Sequence, residues 1–211
     1  MRVAIFSDTF YSHMGGVEDS IALLASSLGA RSHQVDIYVP YISAKEIDLG
    51  DNVSVHRFPS LHVPISMPAR LAIPTGRGWW LLRKNRPDII HTHMIASMGL
   101  ESVIASRLLK LPLVGTNHSI VSEFARYWPV APKLLGRIVS RYDAWFYNRG
   151  EILTTPSQTV VVEMRKHGFY QPSCVISNQI DIKTFKPAEL SKEELKKDFG
   201  LVGRPVVSFA G

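Results

Sequence analysis

Residues able to do chemistry gather at the ends of short apolar runs. In PLVGTNHSIV, residues 112–121, the run halts at Asn117 and His118, so His118 emerges just past a strand. An imidazole there can hydrogen-bond a ligand hydroxyl or manage a proton near neutral pH, although a histidine in that position also serves as a cap or a satisfied polar group. His91 and His93, in DIIHTHM, lie two apart on one face of a strand with Thr92 on the other. His91 reads as a hydrogen-bonded histidine under a helix; for His93, nearer the strand end, ligand contact and a satisfied polar group both stand. Two such histidines would need further metal ligands from His13, Asp8 or His118, which come from separate loops with no ligand spacing, so no metal is expected. In SDTFYSHMGG, residues 7–16, Gly15 and Gly16 let backbone approach a ligand and place helix-start N–H groups near an anionic oxygen. Paired glycines before a helix also serve plain turns, and the spacing is not the dinucleotide fingerprint G-x-G-x-x-G.

These residues need a frame that brings their loops to one edge. Short apolar runs (RVAIF, QVDIYV, VSVHRF, DIIHTH, LVGTN, ILTTP and CVISN) alternate with helix-period stretches, which predicts a mainly parallel, Rossmann-like doubly wound α/β sheet built from βαβ units. In the first helix Val17, Ile21, Leu24, Ala25 and Leu28 share a face, and Glu18, Asp19 and Ser20 load the first turn. Loops at the carboxyl edge of such a sheet are where ligands bind. The loops of Gly16, His93 and His118 converge there, which favours function at His118. Residues 1–186 read as this domain. Residues 187–211 read as a charged connector with one short helix, followed by PVVSFAG as the opening strand of a second α/β domain, so the intact protein is expected to continue for a comparable length.

The 211 residues carry 24 Lys and Arg against 18 Asp and Glu, a net charge of +6, which favours anionic partners. Between Pro59 and Pro87 there is no acidic residue, while Arg70, Arg77, Arg83, Lys84 and Arg86 accompany Trp79 and Trp80. Lys133, Arg137 and Arg141 recur every four residues along another helix. Contact with an anionic membrane surface and an ordinary solvated face both fit these strips; no stacking platform or reading motif supports nucleic-acid binding. Cys174 is the sole cysteine, so no internal disulfide forms. No run approaches the roughly 20 apolar residues of a membrane span. A cytoplasmic setting is expected, with any membrane contact peripheral.

Taken in order, MGGVEDSIALLASSL, PDIIHTH, PLVGTNH, EILTTPSQTVVVEMRKHG and CVISNQIDIKTFKP resemble the retaining GT-B glycosyltransferases of family four over nearly the whole chain. The lipid-acceptor members come closest in character, such as phosphatidylinositol mannosyltransferases and glucosyldiacylglycerol synthases. The resemblance implies the N-terminal, acceptor-side half of a two-domain hexosyltransferase that takes its sugar from a nucleotide-diphosphate co-substrate, with no metal or other cofactor. It implies that His118 contacts the donor sugar, that Gly15 and Gly16 form the glycine loop near the donor phosphate, and that His93, Asn117, Ser157, Asn178 and Asp181 line the donor and acceptor sites. Two motifs depart from the family pattern: Asn178-Gln179-Ile180-Asp181 replaces N-G-V-D, and Arg31-Ser32-His33-Gln34-Val35 lacks the glycine of G-H-x-V. The 211-residue chain alone is expected to be inactive. Rival readings are a nucleotide-sugar epimerase of the same fold and a non-enzymatic module that binds membranes or polyanions.

Overall fold

A computed structural model describes residues 1–10, 15–42, 47–62, 70–73, 77–120, 123, 131–180, 182 and 186–207. The strands are β1 (Arg2–Phe6), β2 (Gln34–Pro40), β3 (Val53–Phe58), β4 (Ser60–His62), β5 (Arg70–Ala72), β6 (Ile89–Thr92), β7 (Leu113–Thr116), β8 (Ile152–Thr155) and β9 (Ser173–Val175). The helices described are α1 (Gly16–Ala30), α2 (Arg77–Asn85), α3 (Ser97–Leu109), α4 (Pro132–Tyr147), α5 (Gln158–Lys166) and α6 (Lys192–Asp198).

Seven strands form one sheet in the order β3-β2-β1-β6-β7-β8-β9. Every neighbouring pair in it is parallel, as the alternation of apolar runs and helices predicts. The chain steps from β1 outward to β2 and β3, then returns past β1 to β6, so the order reverses between β1 and β6. Right-handed crossovers in opposite directions put the connecting helices on opposite faces. Accordingly α1 packs through Ile21 and Ala25 on Val3, Ile5 and Ile37. On the other face Leu82 of α2, Met98 of α3, Phe146 of α4 and Met164 of α5 join Ala4, Phe6 and Ile90 in a second core. Successive residues of β1 thus serve alternate cores, as a pleated strand buried on both faces must.

Two local features hold the helices at the edge. The Asp8 carboxylate, just past β1, accepts from Ala96 N–H at 3.0 Å, Ser97 Oγ at 2.8 Å and Met98 N–H at 2.7 Å, capping α3 from a distant loop. At Gly115 of β7 any side chain would meet the Tyr147 ring, which lies 2.5 Å from where a Cβ would stand. Tyr147 in turn donates its hydroxyl to Thr116 O at 2.9 Å, tying α4 to the end of β7.

The expected face of α1 is found, and Glu18 and Asp19 lie in its first turn as expected, Glu18 being buried there. The last strand of the sheet begins and ends earlier than CVISN suggests, at Ser173–Val175, which leaves Ser177 and Asn178 exposed beyond it. The antiparallel β4–β5 hairpin was not read from the sequence. The chain divides into compact units Met1–Gln179 and Ile180–Gly211, a boundary earlier than residue 186. The second unit holds the short helix α6, started by a capping box in which Ser191 Oγ accepts from Glu194 N–H. The described part of the expected final strand, Pro205–Val207, pairs with no strand among the described residues and stays irregular; a strand is defined by its ladder partner.

Candidate active site at the carboxyl edge

The reversal of strand order between β1 and β6 opens a crevice at their carboxyl ends, the ligand position of open α/β sheets. His93 follows β6 and donates its backbone N–H to Phe6 O at 2.9 Å, so it sits at that reversal. One strand further on, Asn117 and His118 follow β7. His93 stands at the carboxyl edge as its sequence position suggested, and it is buried there, with 3% exposure. Its Nδ1 lies 2.9 Å from His118 Nε2, a hydrogen bond whose direction depends on the tautomers. His91 stacks on His93 with ring centres 4.2 Å apart, and His93 on His118 at 5.2 Å. His91 Nε2 also bonds Thr116 Oγ1 at 2.7 Å, and Thr116 Oγ1 bonds Thr154 Oγ1 at 2.6 Å. His91 is therefore the satisfied histidine its sequence position suggested, and the three imidazoles form one stack across the ends of β6 and β7.

Burial pushes the His118 imidazole down to about 4. Burial, aided by His118, does the same to His91, also to about 4. His93 is lowered well below its ordinary range by burial first, then by His91 and His118. All three are neutral at pH 7. Proton management near neutrality, one option the sequence left open for His118, gives way to hydrogen bonding by a neutral ring. Two ring nitrogens, His93 Nε2 and His118 Nδ1, are buried without a hydrogen-bond partner among the described residues.

Asn117, expected among the binding residues, is 4% exposed and its amide is already engaged. Nδ2 donates to Asp143 Oδ2 at 2.8 Å and approaches Met164 Sδ at 3.2 Å, while Oδ1 accepts from Ser119 N–H at 3.1 Å. That Asx turn shapes the loop that carries His118. Asp143, which sequence reading missed, is a lone acid in a helix of otherwise basic charge; burial raises its carboxyl to about 7 against the lowering effect of the Asn117 bond. Asp8, weighed as a metal ligand, is committed to the start of α3. Among the described residues no group of three or more His, Cys, Asp or Glu is arranged to hold a metal ion.

Gly15 and Gly16 are exposed at the start of α1, whose first N–H groups have no partner further back in the helix. The Glu18 carboxylate folds back beneath them, an oxygen lying 3.3 Å from where a Gly15 Cβ would stand. Ser157 caps α5 by position alone, with an exposed side chain that makes no cap bond, at the carboxyl end of β8. Asn178 is exposed beyond β9, two strands from His118. Asp181 and His13 lie outside the described residues.

The basic segment divides. Arg70 is tied to Ser60, donating to its Oγ at 2.9 Å, and Arg77 reaches the Arg57 carbonyl and the Phe58 ring. Trp79 and Trp80 on α2 are 39% and 56% exposed, with Arg83 and Lys84 stacked on their rings at 4.7 Å and 5.4 Å. Arg86 is exposed just past the helix. On α4, Lys133, Arg137 and Arg141 are exposed beside Leu134, Ile138 and Trp145.

Comparison with known proteins agrees with this frame. The model for Glycosyltransferase Family 4 matches residues 14–184. The GDP-mannose-dependent alpha-mannosyltransferase of Mycolicibacterium smegmatis is 26% identical over all of this chain and 56% of that protein. The alpha-monoglucosyldiacylglycerol synthase of Streptococcus pneumoniae is 24% identical over 93% of the chain and 44% of that protein. The chain thus spans about half the length of the curated relatives it matches. Among solved structures, sucrose-phosphate synthase from Thermosynechococcus elongatus superposes with a TM-score of 0.61 at 14% identity, over 95% of this chain and 52% of that one. WaaG, a glycosyltransferase involved in lipopolysaccharide biosynthesis, gives 0.56 at 17% identity, over the same shares. A reversed parallel sheet with a histidine stack at its carboxyl edge, matched across residues 14–184, makes this chain a member of glycosyltransferase family 4.

Proposed function

We propose that this chain is the N-terminal, acceptor-side part of a retaining GT-B hexosyltransferase that moves a sugar from a nucleotide-sugar donor to an acceptor. The observation that carries the reading is the position of His118: one strand from the β1/β6 reversal, on a loop braced by Asn117, in a chain of this family. A neutral imidazole there hydrogen-bonds a donor-sugar hydroxyl, and the start of α1 at Gly15 and Gly16 meets the departing diphosphate. The nucleotide sugar is a co-substrate, and the reading assigns no metal. The test is to supply the protein that carries this chain with GDP-mannose or UDP-glucose and vesicles containing diacylglycerol or phosphatidylinositol. Sugar transfer with retained anomeric configuration is expected. Isomerised donor without transfer would select an epimerase and overturn the reading.

The acceptor is a membrane lipid on this proposal, and the support is the outer face of the helical layer. Leu100, Ile104 and Leu108 form an exposed aliphatic stripe on α3, and Trp79 and Trp80 are exposed on α2. Leu134, Ile138 and Trp145 form another on α4. The only acids in α2, α3 and α4 are Glu101 and Asp143; Asp143 is buried, and Glu101 is half-buried against Gly78. An apolar surface edged by cations and poor in exposed acid matches an anionic lipid interface. No helix among the described residues is long and apolar enough to cross a membrane, so the contact proposed is peripheral.

A further inference from the structure

We infer that His93 is a positioning residue that sets the orientation and tautomer of His118 through the bond between His93 Nδ1 and His118 Nε2. The inference rests on the proposed role of His118 for its functional meaning, but the geometry that carries it does not.

His93 is itself held at its backbone and against one ring neighbour. Its backbone N–H is bound to Phe6 O at 2.9 Å, its ring stacks on His91, and His91 is anchored to the Thr116–Thr154 hydroxyl pair. Among the described residues its one polar side-chain contact is the 2.9 Å approach to His118. The far nitrogens of the pair, His93 Nε2 and His118 Nδ1, are buried and unpartnered among the described residues, so no described group competes to define either tautomer.

A neutral imidazole carries a single N–H, and the bond between the rings needs one donor and one acceptor. If His93 Nδ1 donates, His118 accepts at Nε2 and must carry its own proton on Nδ1. If His118 Nε2 donates, His93 accepts at Nδ1 and carries its proton on Nε2. The two rings therefore always share the same tautomer, both Nδ1–H or both Nε2–H. Whichever holds, the bond to His93 decides whether His118 Nδ1 is a donor or an acceptor. Loss of His93 leaves the His118 ring without that instruction, while the loop around it keeps its Asn117 brace.

The test is imidazole nitrogen NMR of the 211-residue chain labelled with 15N-histidine at pH 7.5, where all three stacked rings are neutral. Matched tautomers at His93 and His118 are expected, each a single form. Opposite tautomers, or rapid averaging at His118, would overturn the inference without need of any variant. In His93→Phe the His118 nitrogens should shift toward averaged values. In His93→Asn, whose amide reaches the Nδ1 position, they should return to a single form. An unchanged His118 spectrum in a folded His93→Phe would also overturn it. In the protein carrying the whole enzyme, His93→Phe should lower kcat at least tenfold with a smaller change in KM, and His93→Asn should recover much of it. If His118→Ala leaves turnover intact, the proposed function fails, and the tautomer measurement still decides the link between the rings.

Discussion

Asn117 Nδ2 donates to Asp143 Oδ2 at 2.8 Å inside the protein, joining the end of β7 to the second half of α4 while the other Asp143 oxygen is buried without a partner among the described residues. The Asp143 carboxyl stands at about 7 because burial disfavours its charge more than Asn117 favours it. A raised carboxyl contributes stability that is complete below its unfolded value of 3.8 and is lost as pH rises through about 7. The neighbouring His91 and His118 run the other way: their contribution is complete above 6.5 and is lost as pH falls toward about 4. Between pH 6.5 and 8 the natural protein and Asp143→Asn share the histidine contribution, so relative to that variant stability should fall with rising pH on account of Asp143. Urea denaturation across that range should show the slope in the natural protein and its loss in Asp143→Asn; parallel curves would contradict it. Asn117→Ala, which strands the carboxylate, should cost about 1–3 kcal/mol, and more at pH 8 than at pH 5.

His118→Ala should leave the fold intact, because among the described residues the ring's one polar partner is His93. On the proposed function, turnover by the protein that carries this chain should fall on the order of 100-fold, the scale for removing one well-placed hydrogen-bonding group from a developing charge. Near-normal turnover with an unchanged melting temperature would remove His118 from the chemistry.

Gly16 separates ligand approach from backbone stability. A Cβ there meets nothing within 4 Å, and the residue opens a helix. Gly16→Ala should therefore stabilise the chain by roughly 0.4–1 kcal/mol through the unfolded state. If the donor diphosphate approaches this backbone, the same methyl raises the donor KM. Added stability with an unaltered donor KM would place the phosphates elsewhere.

The outer helical face should bind vesicles of phosphatidylglycerol and phosphatidylcholine, and release them as salt rises past the range where the Debye length is about 8 Å. Arg137→Glu with Arg141→Glu should weaken partitioning more than tenfold, since each basic residue near an anionic surface contributes about 1 kcal/mol. Trp79→Ala with Trp80→Ala should weaken it at high salt as well as low. Cosedimentation that ignores both pairs of changes would dismiss this face as the contact.

Much of this arrangement could be read from residue order. The strand–helix alternation specified the parallel sheet, because buried parallel strands need continuous apolar runs and crossovers need amphipathic helices. Loop position put His118 at the ligand edge. What escaped reading was pairing across distance. Nothing in the spacing of Asn117 and Asp143 says that they meet, since one follows a strand and the other lies 26 residues on in a helix. His93 and His118 are 25 residues apart and face each other only because β6 and β7 are neighbours in register. The β4–β5 hairpin is too short to show a period, and Glu18 is buried against the polar rule for its helix turn because it folds back beneath Gly15.

The tryptophans of α2 and α4 follow one spacing: Trp79 with Arg83, Trp80 with Lys84 and Trp145 with Arg149, each cation four residues on and stacked on the ring. These are three of the four indoles in the chain, and all three are partly exposed. The described indoles therefore report on the outer helical layer rather than on the core. Any event at that layer, whether lipid contact or a change of counter-ion, registers as a spectral change in the unlabelled molecule.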